Sequence, residues 1–359
     1  MRKMLFFFLV IIISSLSFGI QEKWKGKIYK EGLVTIVENR GQGLWRGKTD
    51  EKITFIEDLS IGKEEGEEFL MFHSALRVAV DSKLNIYILD ILNHRLLKFD
   101  KEGNFIWRTG RKGQGPGEFQ WPGSIALTPS EEIAIADSPF IHFFSKDGVF
   151  QKTLKLRESI RNIQFQPSGW LFVNIMVRGQ PGIAAEYFSV EGEVLEKFPD
   201  EYRYGPKMSP GLAASIGGGY FQLIDDKVYL SLPDKYEIRE YDSKGNLLRK
   251  IMRDIKMKPP NIKLRYEGRG VSVSPSDRSG PCFIFQGKTL INELQLVEKV
   301  KENKYESKKF LDFFNEKGQF LGTYSLENNA TLNLIDHQNN FYYVQYDPFP
   351  RIIRSKLKL

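Results

Sequence analysis

Along most of this chain, apolar residues recur at every second position in short runs, and Gly, Pro, Asn, Asp and Ser break the runs. A period of two is the signature of half-buried β-strands. The stretch "ALRVAVDSKLNIYILDILNHRLLKFD" from Ala75 predicts three strands, and "SIALTPSEEIAIADSPFIHFFS" from Ser124 repeats the plan. "NLIDHQNNFYYVQYDPFPRIIRSKL" gives it again near the C-terminus. No long segment carries the spacing of an amphipathic helix, so the pattern predicts an all-β fold.

A second pattern overlies the first. Five segments share an aromatic, a short polar stretch with one Gly, and a return to apolar residues: "FDKEGNFI", "FSKDGVF", "FSVEGEVL", "YDSKGNLL" and "FNEKGQFL". Their glycines are Gly103, Gly148, Gly192, Gly245 and Gly318. Each reads as a β-hairpin in which the aromatic closes one strand and Gly takes the left-handed turn position. Four antiparallel strands in roughly 45 residues make one propeller blade. The blades assign to 74–109, 122–156, 160–198, 215–252, 282–326 and 328–359. The last has room for three strands, and "KITFIEDLSIG" near 52–62 can supply the fourth, closing the ring without an open sheet edge.

The glycine-rich stretch "GRKGQGPGEFQWP", Gly110–Pro122, falls between blades. A degenerate copy, "GKEEGEEF", lies one blade upstream at Gly62–Phe69. A phosphate loop needs Gly-Lys-Ser/Thr opening a helix; Gly-Glu-Phe does not provide it. A feature that returns with the blade is a corner of the blade, with Phe119 placed to fill the seam. "GQGPGEFQWP" and the preceding "LDILNHRLLKFDKEGNFIWRTG" resemble the NHL-repeat type of six-bladed β-propeller. Asp90, Asn93, Arg95, Phe99 and Gly103 carry the match, which is strong over roughly 62–150 and faint beyond. The signal-bearing N-terminus followed by "ITFIEDLSIG" also resembles exported bacterial members of the six-bladed group.

The chain divides into a signal peptide at 1–19, an extension at 20–50 without an assigned place, and one propeller domain at 51–359. Arg2 and Lys3, the apolar run Leu5–Ile13, and small residues Ser17 and Gly19 have the anatomy of a secretory signal. The run is too short for a spanning helix, which needs about 20 apolar residues. The expectation is a periplasmic or extracellular monomer with no stable membrane insertion after cleavage. The only cysteine, Cys282, cannot pair within the chain and sits beside aromatics in "GPCFIF", as a buried inert thiol would. The formal charge of +7 is diffuse, suiting acidic partners weakly and giving no case for nucleic acid.

Loops joining strands two and three, and loops joining blades, share one face around the channel. Three are long, at 177–187, 199–220 and 252–281, and long loops in compact domains tend to be functional or disordered. The candidate binding residues are Arg111, Trp121, His142, Arg178, Tyr204, Arg265 and Arg269. Arg offers a planar donor fork and aromatics offer flat apolar area, so the expected partner is a protein or an acidic or carbohydrate ligand at the loop face. No catalytic residue is assigned, and no cofactor is expected. The alternative, implied by the fold resemblance, is a lactonase-like metal-dependent hydrolase or lyase with one Ca or Zn in the channel; Glu237, Asn162 and Asp336 are its candidate ligands. Asp90 and Asp137 occupy equivalent blade positions and read as acceptors for backbone N–H groups.

Overall fold

The computed structural model describes residues 24–45, 49, 52–157, 159–176, 182–198, 201–203, 220–232, 234–258, 262–264, 271–273, 276–301, 304–327 and 330–358. The signal peptide lies outside the described residues. Six antiparallel sheets form the blades of a β-propeller. Blade 1 comprises Leu76–Val80, Ile86–Asp90, Arg95–Phe99 and Phe105–Thr109; blade 2 comprises Pro122–Leu127, Ile133–Asp137, Phe140–Phe144 and Phe150–Lys155. Blade 3 is Ile160–Phe165, Leu171–Met176, Gly182–Phe188 and Val194–Lys197; blade 4 is Tyr220–Ile224, Lys227–Ser231, Glu237–Tyr241 and Leu247–Arg253. Blade 5 is Arg278–Phe285, Thr289–Lys301, Lys304–Phe314 and Phe320–Leu326. Blade 6 is Thr331–Ile335, Asn340–Gln345 and Arg351–Lys358, completed by Thr54–Ile61 from the N-terminal side.

The repeated hairpins have a direct physical account. Gly103, Gly148, Gly192, Gly245 and Gly318 all adopt φ between 77° and 89°, a conformation costly for residues with a Cβ. The aromatics before them, Phe99, Phe144, Phe188, Tyr241 and Phe314, end the third strands and are at most 2% exposed. They feed five of six hydrophobic clusters, one cluster for each seam between neighbouring blades. Phe119 of the corner is fully buried in the cluster between blades 1 and 2. Its upstream counterpart Phe69 stacks on Phe105 with centroids 4.2 Å apart.

Two features depart from uniform four-stranded blades. The extension forms a hairpin, Gly26–Glu31 with Val34–Asn39, whose second strand pairs in parallel with Leu247–Arg253 on the rim of blade 4. That sheet therefore has six strands. Val37 enters the cluster between blades 4 and 5, and Asn39 bridges to the turn of blade 5, donating to Gly318 O and accepting from Phe320 N–H. In blade 3, Tyr202–Arg203 adds a short pairing to Gly182–Phe188. Blade 5 also begins four residues earlier than its sequence boundary, at Arg278, and the loop before it contains a small hairpin, Ile262–Leu264 with Val271–Val273.

Candidate functional site

The first strand of every blade lines the central channel with one edge unpaired. Backbone groups on such an edge must find partners, and polar side chains of the neighbouring blade supply them. Val78 N–H donates to Asn333 Oδ1 at 3.0 Å, and Ile163 N–H to Ser124 Oγ at 3.3 Å. Leu332 N–H donates to Glu293 Oε2 at 3.0 Å. Gln164 brackets Leu223, accepting its N–H at 2.9 Å and donating to its carbonyl at 3.0 Å. Asn174 Nδ2 donates to Phe221 O at 2.8 Å, and the Ser231 hydroxyl to Gly280 O. Much of the polar lining is therefore structural stitching between blades.

Four of the six inner strands carry a bulge. The register shifts between Pro122 and Ser124, Ile160 and Asn162, Ser279 and Cys282, and Leu332 and Leu334. A bulge inserts an unpaired residue and re-aims its side chain. Gly123, Arg161, Gly280, Pro281 and Asn333 lie at those shifts, and all but Gly280 line a cavity of about 500 Å³. Residues of the second strands also reach this cavity opposite two of the bulges: Asn174 in blade 3 and Glu293 in blade 5.

The cavity has mixed polar and apolar walls and is net basic. Arg77 and Arg161 contribute guanidinium groups from blades 1 and 3, and the Arg161 guanidinium lies 5.4 Å from the Tyr220 ring centre. Glu293 is the one carboxylate among the described lining residues. Burial pushes it up to about 7, against a weaker downward pull from Lys309 and the Leu332 N–H. Asn174 is 3% exposed, and its Oδ1 has no partner among the described residues. An unpaired buried acceptor loses water contacts without replacement. Val80, Ala126, Phe165 and Leu334 add an apolar component.

The residues singled out from the sequence divide between this site and the blades. Of Glu237, Asn162 and Asp336, only Asn162 lines the cavity, accepting from the Ser124 hydroxyl. Glu237 lies on the third strand of blade 4, paired with Lys235 and Arg239. Asp336 holds the turn into Asn340–Gln345, accepting from the Gln338 and Asn340 N–H groups. The proposed trio therefore does not converge, because only the first strand and the bulge-opened second strand reach the channel. Among the described residues, no group of three His, Cys, Asp or Glu side chains is placed to share a metal ion.

At the loop face, Arg111 pairs with Glu118 at 2.6 Å within the glycine-rich corner, and Trp121 is 75% exposed just before the inner strand of blade 2. His142 is buried; its Nδ1 contacts Thr153 Oγ1 at 2.9 Å and its Nε2 lies 3.6 Å from Asp137. Arg178, Tyr204, Arg265 and Arg269 lie outside the described residues. Cys282 is fully buried against Asn292 Oδ1 at 3.4 Å, and burial pushes its thiol up, away from the reactive thiolate.

Asp90 and Asp137 do what their repeat position suggested. Asp90 is buried and accepts from the His73 N–H, Asn93 Nδ2 and the Arg95 guanidinium. Asp137 accepts from the Gln120 and Trp121 N–H groups at the end of the corner. Burial pushes its carboxyl up, but His142 and these two N–H donors hold it below its ordinary value. Asp137→Ala strands both donors, so it is expected to cost about 2 kcal/mol. Urea unfolding at pH 7 measures this, and a change within error would remove Asp137 from the corner's support.

Comparisons with known proteins agree with this architecture. A family model described as a 6-bladed beta-propeller, DUF5128, matches residues 68–252. NHL repeat-containing protein 3 of Homo sapiens is 29% identical over 110 residues, which make up 28% of this chain and 31% of that protein. Its Mus musculus counterpart is 31% identical over 90 residues, 24% of this chain and 26% of that protein. The chain thus matches less than a third of the length of these curated relatives. Among solved structures, a Bacteroides fragilis protein aligns with a TM-score of 0.57 at 11% identity, covering 90% of this chain and 100% of that one. A DUF4221 family member from Bacteroides vulgatus aligns with a TM-score of 0.59 at 12% identity, covering 85% and 98%. At such identities the likeness is one of fold. The NHL-type hairpins, the six blades around one channel, and a family match spanning more than half the chain lead to one assignment: this protein belongs to the DUF5128 family of six-bladed β-propellers.

Proposed function

We propose that this protein is an exported, non-catalytic binding propeller that holds an acidic ligand in its central channel. One observation carries the reading. The inner-strand bulges open a cavity of about 500 Å³ whose described lining includes two guanidinium groups, from Arg77 and Arg161, and one buried carboxyl. Pockets of roughly 300–1,000 Å³ with a few convergent polar groups are the usual form of small-ligand sites. Export rests on the n-region, apolar run and small residues of 1–19. The metal-dependent hydrolase or lyase reading has less support, because Glu293 is the one carboxylate among the described lining residues.

Gly123 offers a clean test. It lines the cavity, and a Cβ added there meets nothing within 4 Å. Gly123→Phe therefore places a ring in the cavity from an open position, and an unchanged melting temperature checks that it folds. Thermal shift with succinate, citrate and galacturonate should raise the melting temperature of the natural protein for at least one of them. A ligand at a hundredfold excess over its Kd adds about 2.7 kcal/mol of stability. The plugged variant should melt as the natural protein does and lose that shift. Equal shifts in both proteins, or none in either, would remove the channel from the function.

A further inference from the structure

The cavity is more specific than a basic hole. Asn174 Oδ1 is a buried acceptor with no partner among the described residues, while the amide's other end is committed to Phe221 O. The amide cannot flip to relieve the unpaired oxygen without losing that bond. Glu293, held through Leu332 N–H, presents a second acceptor from blade 5. Arg161 is turned into the same cavity by its bulge, with the Tyr220 ring beneath its guanidinium, and Arg77 stands two blades away around the ring. The half-buried rings and chains of Phe165, Ala126 and Leu334 give the wall apolar patches between these polar points.

Each feature excludes a ligand class. Two guanidinium groups disfavour cations. The unpaired amide oxygen disfavours purely apolar ligands, which would leave it unsatisfied. A carboxyl and an amide oxygen on the walls disfavour a compact polyanion, which brings acceptors and no donors. What remains is a molecule with one anionic group, several hydroxyl donors and an apolar C–H face.

We propose that the cavity binds a carboxylated sugar, with the carboxylate held by Arg161 and Arg77 and ring hydroxyls donating to Asn174 Oδ1 and Glu293. This deepens the channel-binding reading and rests on it. An Arg fork matches a carboxylate in its plane, and a hydroxyl donated to Asn174 repairs an acceptor that the blade stitching leaves open.

Isothermal titration with galacturonate, galactose and succinate separates the parts. Galacturonate is expected to bind at least about tenfold tighter than either control, since each lacks a set of charge-assisted or neutral hydrogen bonds. Arg161→Gln and Arg77→Gln should each weaken galacturonate about tenfold or more while the melting temperature of the free protein is retained. Should either variant melt well below the natural protein, Gly123→Phe serves as the folded control. Succinate binding as tightly as galacturonate, with loss in Gly123→Phe, would overturn the sugar acid and leave the channel reading in place. Galactose binding equally would overturn the role of the arginines, and the proposal with it. Failure of every acid to bind, or equal binding to the plugged variant, would overturn both.

Discussion

Removing residues 340–359 is expected to abolish the cooperative folding of the entire ring, not of blade 6 alone. Arg351–Lys358 pairs with Thr54–Ile61 along its length, so the two chain ends share one sheet. Arg354 adds an ion pair to Asp58 at 2.8 Å and donates to Lys101 O of blade 1 at 2.7 Å. Phe341, Tyr342, Val344 and Ile352 are each at most 1% exposed and supply the seams on both sides of blade 6. Each large apolar side chain is worth roughly 1.5–3 kcal/mol on burial, against a net stability of about 5–15 kcal/mol for a typical domain. Losing several of them, and opening two sheet edges, exceeds what the remaining seams supply. Thermal melting followed by circular dichroism should show no single transition in the truncated chain. Deleting 24–62 should have the same effect, because it removes the partner strand. A truncated chain that melts cooperatively near the natural temperature would show that closure contributes little.

Glu293→Gln is expected to stabilise the protein by about 3 kcal/mol at pH 8. Burial places the folded carboxyl near 7, above its ordinary value of 4.5. Below 4.5 the group is protonated in both folded and unfolded chains, and no penalty exists. Between 4.5 and 7 the folded protein holds a proton that the unfolded chain has released, so stability falls as pH rises through that window. Above 7 the loss is complete and constant. Gln keeps an oxygen for the Leu332 N–H and carries no charge to desolvate. The variant and the natural protein should therefore converge near pH 4 and diverge towards pH 8 in urea unfolding. Parallel curves across that range would show that Glu293 is not a buried titrating group. An amide would stitch blade 5 to blade 6 as well as the carboxylate does, at lower cost, which is why we read Glu293 as part of a site.

The legible and illegible parts of this protein differ in kind. The turn glycines and the aromatics before them were readable because a hairpin is local: φ at Gly103 depends on residues within a few positions. The corner was readable because it repeats, and repetition marks structure. The partner of Val34–Asn39 was not readable. It pairs with a strand more than two hundred residues away, and nothing in "VTIVEN" names that edge. Arg161 gave no signal either. In "SIRNIQF" strict alternation does not show which residue is the unpaired one, and a slip of one position exchanges the two faces of a strand. Glu293 had a weak signal, a lone carboxylate amid the apolar positions of "TLINELQLV". Glu237 and Asp336 misled because a carboxylate on a strand looks the same whether it faces the channel, a turn or a neighbouring lysine.

By itself the sequence determined the class of fold, the number of blades, the closure of the ring and the places of Phe119, Asp90 and Asp137. These depend on periodicity, turn chemistry and burial of aromatics, all of which act over one blade. Only the tertiary structure decided what faces the channel. Six strands from across the chain meet there, and a bulge of one residue in each of several blades selects the side chains that enter. Such selection depends on register and on the neighbouring blade's unpaired backbone, which are properties of the closed ring and not of any segment within it.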